Sequence, residues 1–518
     1  MTLHRPRPRR RPLAVVAACA AFGVLGPACS GGGSEEAPVP GASDVPSTLD
    51  KDALSTERPR KPKGGRAARS DFDGDGYPDA VVQLKGGPVA GLERAYGPLA
   101  VLYGGEDGLR PDGKPLVAGE GRKDDRGFLT EGYALPIVGS AGPDLGQDVQ
   151  HHARDFDGDG YTDLVAERHL EPGSEDGKHP HHIVLLRGGP DGLSDEAVRL
   201  RAPGNEEGAF LELGAVGDFN GDRHPDLLVV REQRTGAKPN AQILYGPFDS
   251  SGKIATFQSL GTGDLRTDRS PGKPLTADFD RDGRTDLLMV SDYDEEYEGE
   301  APRTPVRYFR GTPEGPVHDA ELTGSLTSRV ATDHGSEVRA GMDLDDDGYP
   351  DILPPGQGEK TDRRYLRGGP EGIRAGTEPL TTGEDVGSPL LEADVTGDGD
   401  AELVSRIPHG EHRNRGAIQV AAKQSGPRLR PIQAVHMDTP GVPGEVFAGG
   451  GFGKRDRFAE GLHVLDADQD GHADVLASEG FGGPKQRFGG LWFFRGGPDG
   501  LRTDDVRRFR LPELGHRR

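Results

Sequence analysis

The chain has 518 residues, 81 of them Gly and 43 Pro, and only 33% are hydrophobic. With about a quarter of the chain in turn-forming residues, a large helical core is excluded, because helix interiors resist both types; recurring short apolar runs set it apart from a disordered chain of similar composition. Lys and Arg number 63 against 86 Asp and Glu, and a net charge of −23 argues against a nucleic-acid partner.

Both cysteines, Cys19 and Cys29, fall in the first 30 residues, so no disulfide can staple the body. Arg5, Arg7, Arg9, Arg10 and Arg11 precede an apolar run, Leu13–Leu25, that is too short for a permanent bilayer span and reads as an export signal. The following Gly26-Pro27-Ala28-Cys29-Ser30 resembles a bacterial lipoprotein processing site. That resemblance implies a signal peptide over residues 1–28 and lipidation at Cys29, holding the protein to the outer face of the cytoplasmic membrane. Val16-Ala17-Ala18-Cys19 is an earlier match to the same pattern, and simple secretion is the alternative. Residues 29–65 are Gly, Ser, Pro and charge without apolar periodicity, a tether whose roughly 37 residues reach on the order of 35 Å.

The body repeats one loop seven times. Asp71-Phe72-Asp73-Gly74-Asp75-Gly76-Tyr77-Pro78-Asp79 opens the series, and the pattern returns at Asp155, Asp218, Asp278, Asp343, Asp394 and Asp466, at spacings of 51 to 84 residues. Carboxylates at positions 1, 3, 5 and 9 with a backbone carbonyl at position 7 form the oxygen-only donor set of a hard cation, and calcium fits it better than magnesium, which keeps its waters. Gly at position 6 allows the positive φ that wraps the chain round an ion. The expected ligands are Asp71, Asp73, Asp75, Tyr77 and Asp79; Asp155, Asp157, Asp159, Tyr161 and Asp163; Asp278, Asp280, Asp282, Arg284 and Asp286. They continue with Asp343, Asp345, Asp347, Tyr349 and Asp351, and with Asp466, Asp468, Asp470, His472 and Asp474; each position-7 residue serves through its carbonyl.

Two further loops depart from the pattern and are expected to bind most weakly. One offers Asp218, Asn220, Asp222, His224 and Asp226, with Arg223 where Gly is wanted, a strain of roughly 1 kcal/mol. The other offers Asp394, Thr396, Asp398, Asp400 and Glu402, with Thr a poor ligand and Glu longer than Asp. Up to seven calcium ions are therefore expected. Loss of the five arginines in residues 1–28 takes the net charge from −23 to −28, and seven divalent ions would halve the resulting repulsion.

An EF-hand is excluded by position 12, which is Val82, Ala166, Val229, Met289, Pro354, Ser405 or Ala477 and never the acid that loop needs. The flanks read as strands, such as Asp226-Leu227-Leu228-Val229-Val230. Behind the loops comes a second signature, a strand running into a tight turn. It reads Leu102-Tyr103-Gly104-Gly105-Glu106-Asp107-Gly108, Leu186-Arg187-Gly188-Gly189-Pro190-Asp191-Gly192, Leu366-Arg367-Gly368-Gly369-Pro370-Glu371-Gly372 and Phe494-Arg495-Gly496-Gly497-Pro498-Asp499-Gly500. Four strands per unit make a blade, and seven blades make an all-β, seven-bladed β-propeller over residues 66–518.

Loop and spacing together resemble the FG-GAP repeat family, the propeller of integrin α-subunits and of many bacterial surface proteins. The resemblance implies a calcium between the first two strands of each blade, and ligand binding by strand 2–3 loops on the opposite face.

No enzyme motif is complete. Ala448–Lys454 lacks the first Gly of a phosphate loop, and Arg455 stands where Ser or Thr would hold magnesium. His151, His152, His179, His181, His182, His409 and His412 are read as solvated or packed, and Trp492 as core. The acidic run Asp292–Glu300 is a candidate partner surface, more simply a solvated loop. The reading is a monomeric, calcium-stabilised binding scaffold outside a bacterial membrane, with a protein or glycan partner. The alternatives are a carbohydrate-active lyase or hydrolase using the central channel, and a membrane-assembly or sensory component.

Overall fold

The computed structural model describes residues 70–83, 99–116, 134–135, 152–169, 181–201, 210–232, 240–261, 274–290, 306–327, 339–353, 362–374, 377–382, 390–409, 415–424, 428–444, 458–478, 490–510 and 512–514. All lie in one compact unit, Pro40–Arg518. The signal, the tether, the acidic run Asp292–Glu300, the phosphate-loop look-alike, His151, His179 and His412 fall outside these residues, as do the side chains of His181, His182 and His409.

The strands form seven antiparallel blades. Blade 3 is typical: Phe210–Gly217, Asp226–Glu232, Asn240–Tyr245 and Thr256–Leu260 run from inner to outer edge, with the acidic loop joining the first two. Blade 1 contributes three described strands, Ala80–Gln83, Leu99–Tyr103 and Arg110–Leu116. Blades 5 and 6 share one sheet, because their outermost strands Thr377–Thr382 and Arg428–His436 pair in parallel. Blade 4 ends in a short helix, Ala320–Thr327, capped by Asp319, whose carboxylate accepts from the Leu322 N–H at 2.9 Å.

In blades 3 and 4 the second strand carries an unbroken apolar stretch, Leu227–Val230 and Leu287–Val290, because both its faces are buried. Leu227 and Val229 pack against blade 2, while Leu228 and Val230 pack against blade 4. The next blade repeats the division, with Leu287 and Met289 facing blade 3 and Leu288 and Val290 facing blade 5. Hydrophobic clusters fill every junction between consecutive blades. One more, with Leu102 and Leu109 against Leu476, Leu491 and Phe493, joins blade 7 to blade 1 and closes the ring.

Arg507–Phe509 pairs with Leu491–Phe494 as the outermost strand of blade 7. The seam is then tied by the Gly105 N–H donating to the Ala467 carbonyl at 3.0 Å, and by Arg507 donating to the Leu109 carbonyl at 3.2 Å. Trp492 is core, as expected: it is buried, edge-on to Phe458, and its indole N–H donates to the Pro443 carbonyl at 2.7 Å.

The glycine turns are wrapped onto the preceding blade. A Cβ at Gly192 would collide with Tyr103, one at Gly108 with Phe493 and one at Gly315 with Tyr245, and all three glycines have positive φ. Gly315 also exposes a turn the sequence pattern passes over. Gly311-Thr312-Pro313-Glu314-Gly315 is the blade 4 counterpart, disguised by Thr in place of the second Gly.

Candidate metal centres and the blade junctions

Each acidic loop folds round its first carboxylate. In blade 1, Asp71 accepts from the Gly74 N–H at 2.7 Å and from the Gly76 N–H at 2.9 Å. Asp73 accepts from Asp75 N–H, and Asp75 from Tyr77 N–H. The same bonds recur in blade 2 through Asp155, Asp157 and Asp159. Position 6 has positive φ in every loop, and so does position 4, which the sequence pattern hides because Arg281, Asp346 and Gln469 stand there.

Position 9 has a second task. Asp79 accepts from the Phe72 N–H at 2.7 Å with one oxygen and from the Gly104 N–H at 2.9 Å with the other. It thereby fastens the acidic loop to the glycine turn of the same blade. Asp163, Asp226, Asp351 and Asp474 make the same pair of bonds, to Gly188, Gly246, Gly368 and Gly496. In blade 4, Asp286 holds Gly311 and the Tyr308 hydroxyl. Position 2 then carries the link outward: Phe72 is buried against blade 2, and its carbonyl accepts from Gly189 N–H at 2.9 Å. Phe156, Phe279, Val395 and Ala467 repeat this contact with the blade that follows.

Carboxylate oxygens converge in five loops. One ligand atom from each of Asp71, Asp73 and Asp79 lies within 4.8 Å of the others, as in Asp155, Asp157 and Asp163 and in Asp466, Asp468 and Asp474. In blades 4 and 5 the converging set is Asp278, Asp280 and Asp282, and Asp343, Asp345 and Asp347. In blade 5 the Asp343 Oδ1 is buried without a hydrogen-bond partner, an orphan that a cation would satisfy. The all-oxygen donor set and this orphan both fit calcium.

The two loops expected to be weakest are not among the convergent sets of the described residues. In blade 3, Asn220 turns its amide onto Asp222 at 3.0 Å, and Arg223 sits at φ 74°. In blade 6, Glu402 is drawn onto the Val395 and Thr396 N–H groups within its own loop, and Thr396 is buried beside it. The side chains of Tyr161, Arg284 and His472 at position 7 lie over position 4 of the preceding blade's loop, at Gly74, Gly221 and Gly397.

Residues 218–289 match the family model described as an FG-GAP-like repeat, and that segment runs from the blade 3 loop through the second strand of blade 4. The chain is a seven-bladed propeller that contains an FG-GAP-like repeat.

Two kinds of cationic side chain in this propeller lie outside the ligand pattern. Arginines from the glycine turns reach the third-position carboxylates, and Lys423 of blade 6 is buried at the blade 5 loop. Its ammonium is 2.6 Å from Asp346, 2.7 Å from Glu392 and 3.0 Å from the Asp343 carbonyl. Arg187, Arg367 and Arg495 stand as a recurring letter before Gly-Gly and Arg310 before Gly-Thr; Lys423 had no such signal.

Burial raises the position-9 carboxyls, reinforced by neighbouring acids and opposed by their two hydrogen-bond donors, both backbone N–H groups except at Asp286, where the Tyr308 hydroxyl is one of them. Asp79 and Asp474 are pushed up to about 8, and Asp163, Asp226, Asp286 and Asp351 to about 7. Unfolded Asp titrates near 3.9. A pKa raised by folding contributes stability that is complete below about pH 4 and lost as pH climbs to about 8. The metal-free propeller is therefore expected to melt lower at pH 8 than at pH 5.5 in EDTA. Saturating calcium should flatten or reverse this slope, because metal binding displaces those protons. A melting temperature that rises with pH in EDTA would contradict the assignment.

Arg223 offers a second check. Arg223→Gly removes a side chain from a left-handed position and is expected to stabilise the protein by about 1 kcal/mol in urea unfolding, with or without calcium.

Proposed function

We propose that this propeller is a calcium-stabilised, extracytoplasmic binding scaffold, monomeric and tethered through lipidated Cys29, that presents its loops to a protein or glycan at the cell surface. The observation that carries this reading is the junction chemistry. The body has no cysteine, and its blades meet through acidic loops suited to a cation that is abundant outside cells. Sites of extracellular affinity, with Kd near 10⁻⁴–10⁻³ M, fill at the ~1 mM calcium found there. Among the described residues no helix is long and apolar enough to cross a membrane, and in this reading the anchor is the acyl chain. Rigid blades holding variable loops suit recognition.

Anchoring is tested by metabolic palmitate labelling of the wild type and of Cys29→Ala. The label should vanish in the variant and the protein should appear in the medium; an unlabelled wild type retained in the cytosol would overturn the placement. Binding is tested on arrays of glycans and extracellular proteins probed in 2 mM calcium and in EGTA. Retention of a ligand in calcium alone supports a scaffold. Release of sugar fragments from the array would favour a carbohydrate-active enzyme instead.

A further inference from the structure

Four of the loops contain a residue that calcium ligation does not call for. The arginine before the turn glycine reaches back to the third-position carboxylate of its own blade. Arg187 Nε lies 3.4 Å from Asp157, Arg310 Nη1 2.7 Å from Asp280, and Arg495 Nη2 2.9 Å from Asp468. Arg367 spans two ligands, with Nε 2.5 Å from Asp345 and Nη2 2.8 Å from Asp347. The paired carboxylates of Asp280, Asp345 and Asp468 are only 5–6% exposed, so water screens these contacts little. The other oxygen of each third-position acid accepts the position-5 N–H, so both oxygens are engaged.

Blade 1 is built differently. Tyr103 replaces the arginine, and its hydroxyl accepts from the Leu193 N–H of blade 2 at 3.0 Å. No described lysine or arginine pairs with Asp73.

We propose that Arg187, Arg310, Arg367 and Arg495 are resident counter-ions that set calcium affinity, dividing the convergent loops into one tight site in blade 1 and four weaker sites in blades 2, 4, 5 and 7. Calcium affinity follows the charge of the ligand set. In blade 1 no described arginine or lysine holds the third-position acid, whereas in the other four convergent loops a fixed positive charge sits on a ligand and repels an incoming divalent ion. Two of these arginines also tie the metal-free ring. Arg310 also donates to the Glu371 carbonyl of blade 5 at 2.6 Å, and Arg495 to the Glu106 carbonyl of blade 1 at 3.1 Å. They therefore hold loop and neighbouring turn together when no ion is bound.

This inference rests on the calcium reading, and its test separates the two. Calcium titration calorimetry on the full chain should resolve two classes in the wild type, one tight and several weaker. Arg367→Gln should tighten one weak site about tenfold or more, yet lower the melting temperature in EDTA. Arg367→Lys, which keeps the charge, should stay within about threefold of wild type. Opposite signs in calcium and in EDTA are what a merely structural arginine would not produce. Arg187→Gln, at the longest and loosest of the pairs, provides the same comparison should Arg367→Gln fail to fold. Unchanged or weaker calcium binding in a variant that is folded in calcium overturns the proposal, as does a single class in the wild type. No calcium uptake by the wild type at all sinks the calcium reading and this inference together.

Discussion

Stripping calcium from the purified protein is expected to lower its melting temperature by about 7 °C relative to the same protein in 1 mM calcium. The magnitude follows from linkage. A site with Kd near 10⁻⁴ M gains about 1.4 kcal/mol at ~1 mM ion. Over the five convergent loops this comes to about 7 kcal/mol. Unfolding a body of about 450 residues carries an entropy of roughly 1 kcal/mol/K. The loss should also appear at the blade junctions, because position 2 of each loop is buried against the next blade, as Phe72, Phe219 and Leu344 show. Hydrogen exchange is the sharper measurement. On chelation, protection should fall at Gly105, Gly189 and Gly369, whose amides cross from one blade to the loop of another. A melting temperature unchanged by chelator, with these amides still protected, would mean that the loops do not hold calcium.

Much of this arrangement was legible in the sequence, for a physical reason. Acids at fixed short offsets are read directly from the chain, and three of them in the first loop, Asp71, Asp73 and Asp79, do bring their oxygens together. Strands buried on both faces likewise announce themselves as unbroken apolar runs, as in Leu287–Val290. What stayed hidden depends on partners at variable distance. The turn glycine that Asp163 binds lies 25 residues on, whereas Asp226 finds its partner at 20 and Asp351 at 17, so no fixed spacing marks the pair. Lys423 sits 80 residues beyond the Asp343 carbonyl it caps, in another blade. The left-handed fourth position was masked because Arg281, Asp346 and Gln469 tolerate the strain there. The parallel pairing of blades 5 and 6 involves only Thr381, Thr382, Arg428 and Leu429, too short a contact to leave a pattern.

Asp163→Ala is expected to destabilise blade 2 by about 4 kcal/mol even in EDTA, far more than loss of a metal ligand alone. The carboxylate accepts from the Phe156 N–H and the Gly188 N–H, each at 2.9 Å, in a site without solvent access. Each donor left unsatisfied costs about 1–3 kcal/mol, and water has no clear route to replace the acceptor. The damage should spread both ways round the ring. Phe156 stacks on Phe248 of blade 3 and accepts from its N–H at 2.8 Å, while the adjoining Gly189 N–H donates to the Phe72 carbonyl of blade 1. Asp159→Ala is the control: this exposed fifth-position acid belongs to the same loop but accepts only from the Tyr161 N–H there. In calcium both variants should lose stability, because both lose a ligand. In EDTA, urea unfolding should leave Asp159→Ala within about 1 kcal/mol of wild type and place Asp163→Ala well below it. Equal losses in EDTA would reduce the ninth-position acid to a ligand and remove the internal fastening from the account of how the blades cohere.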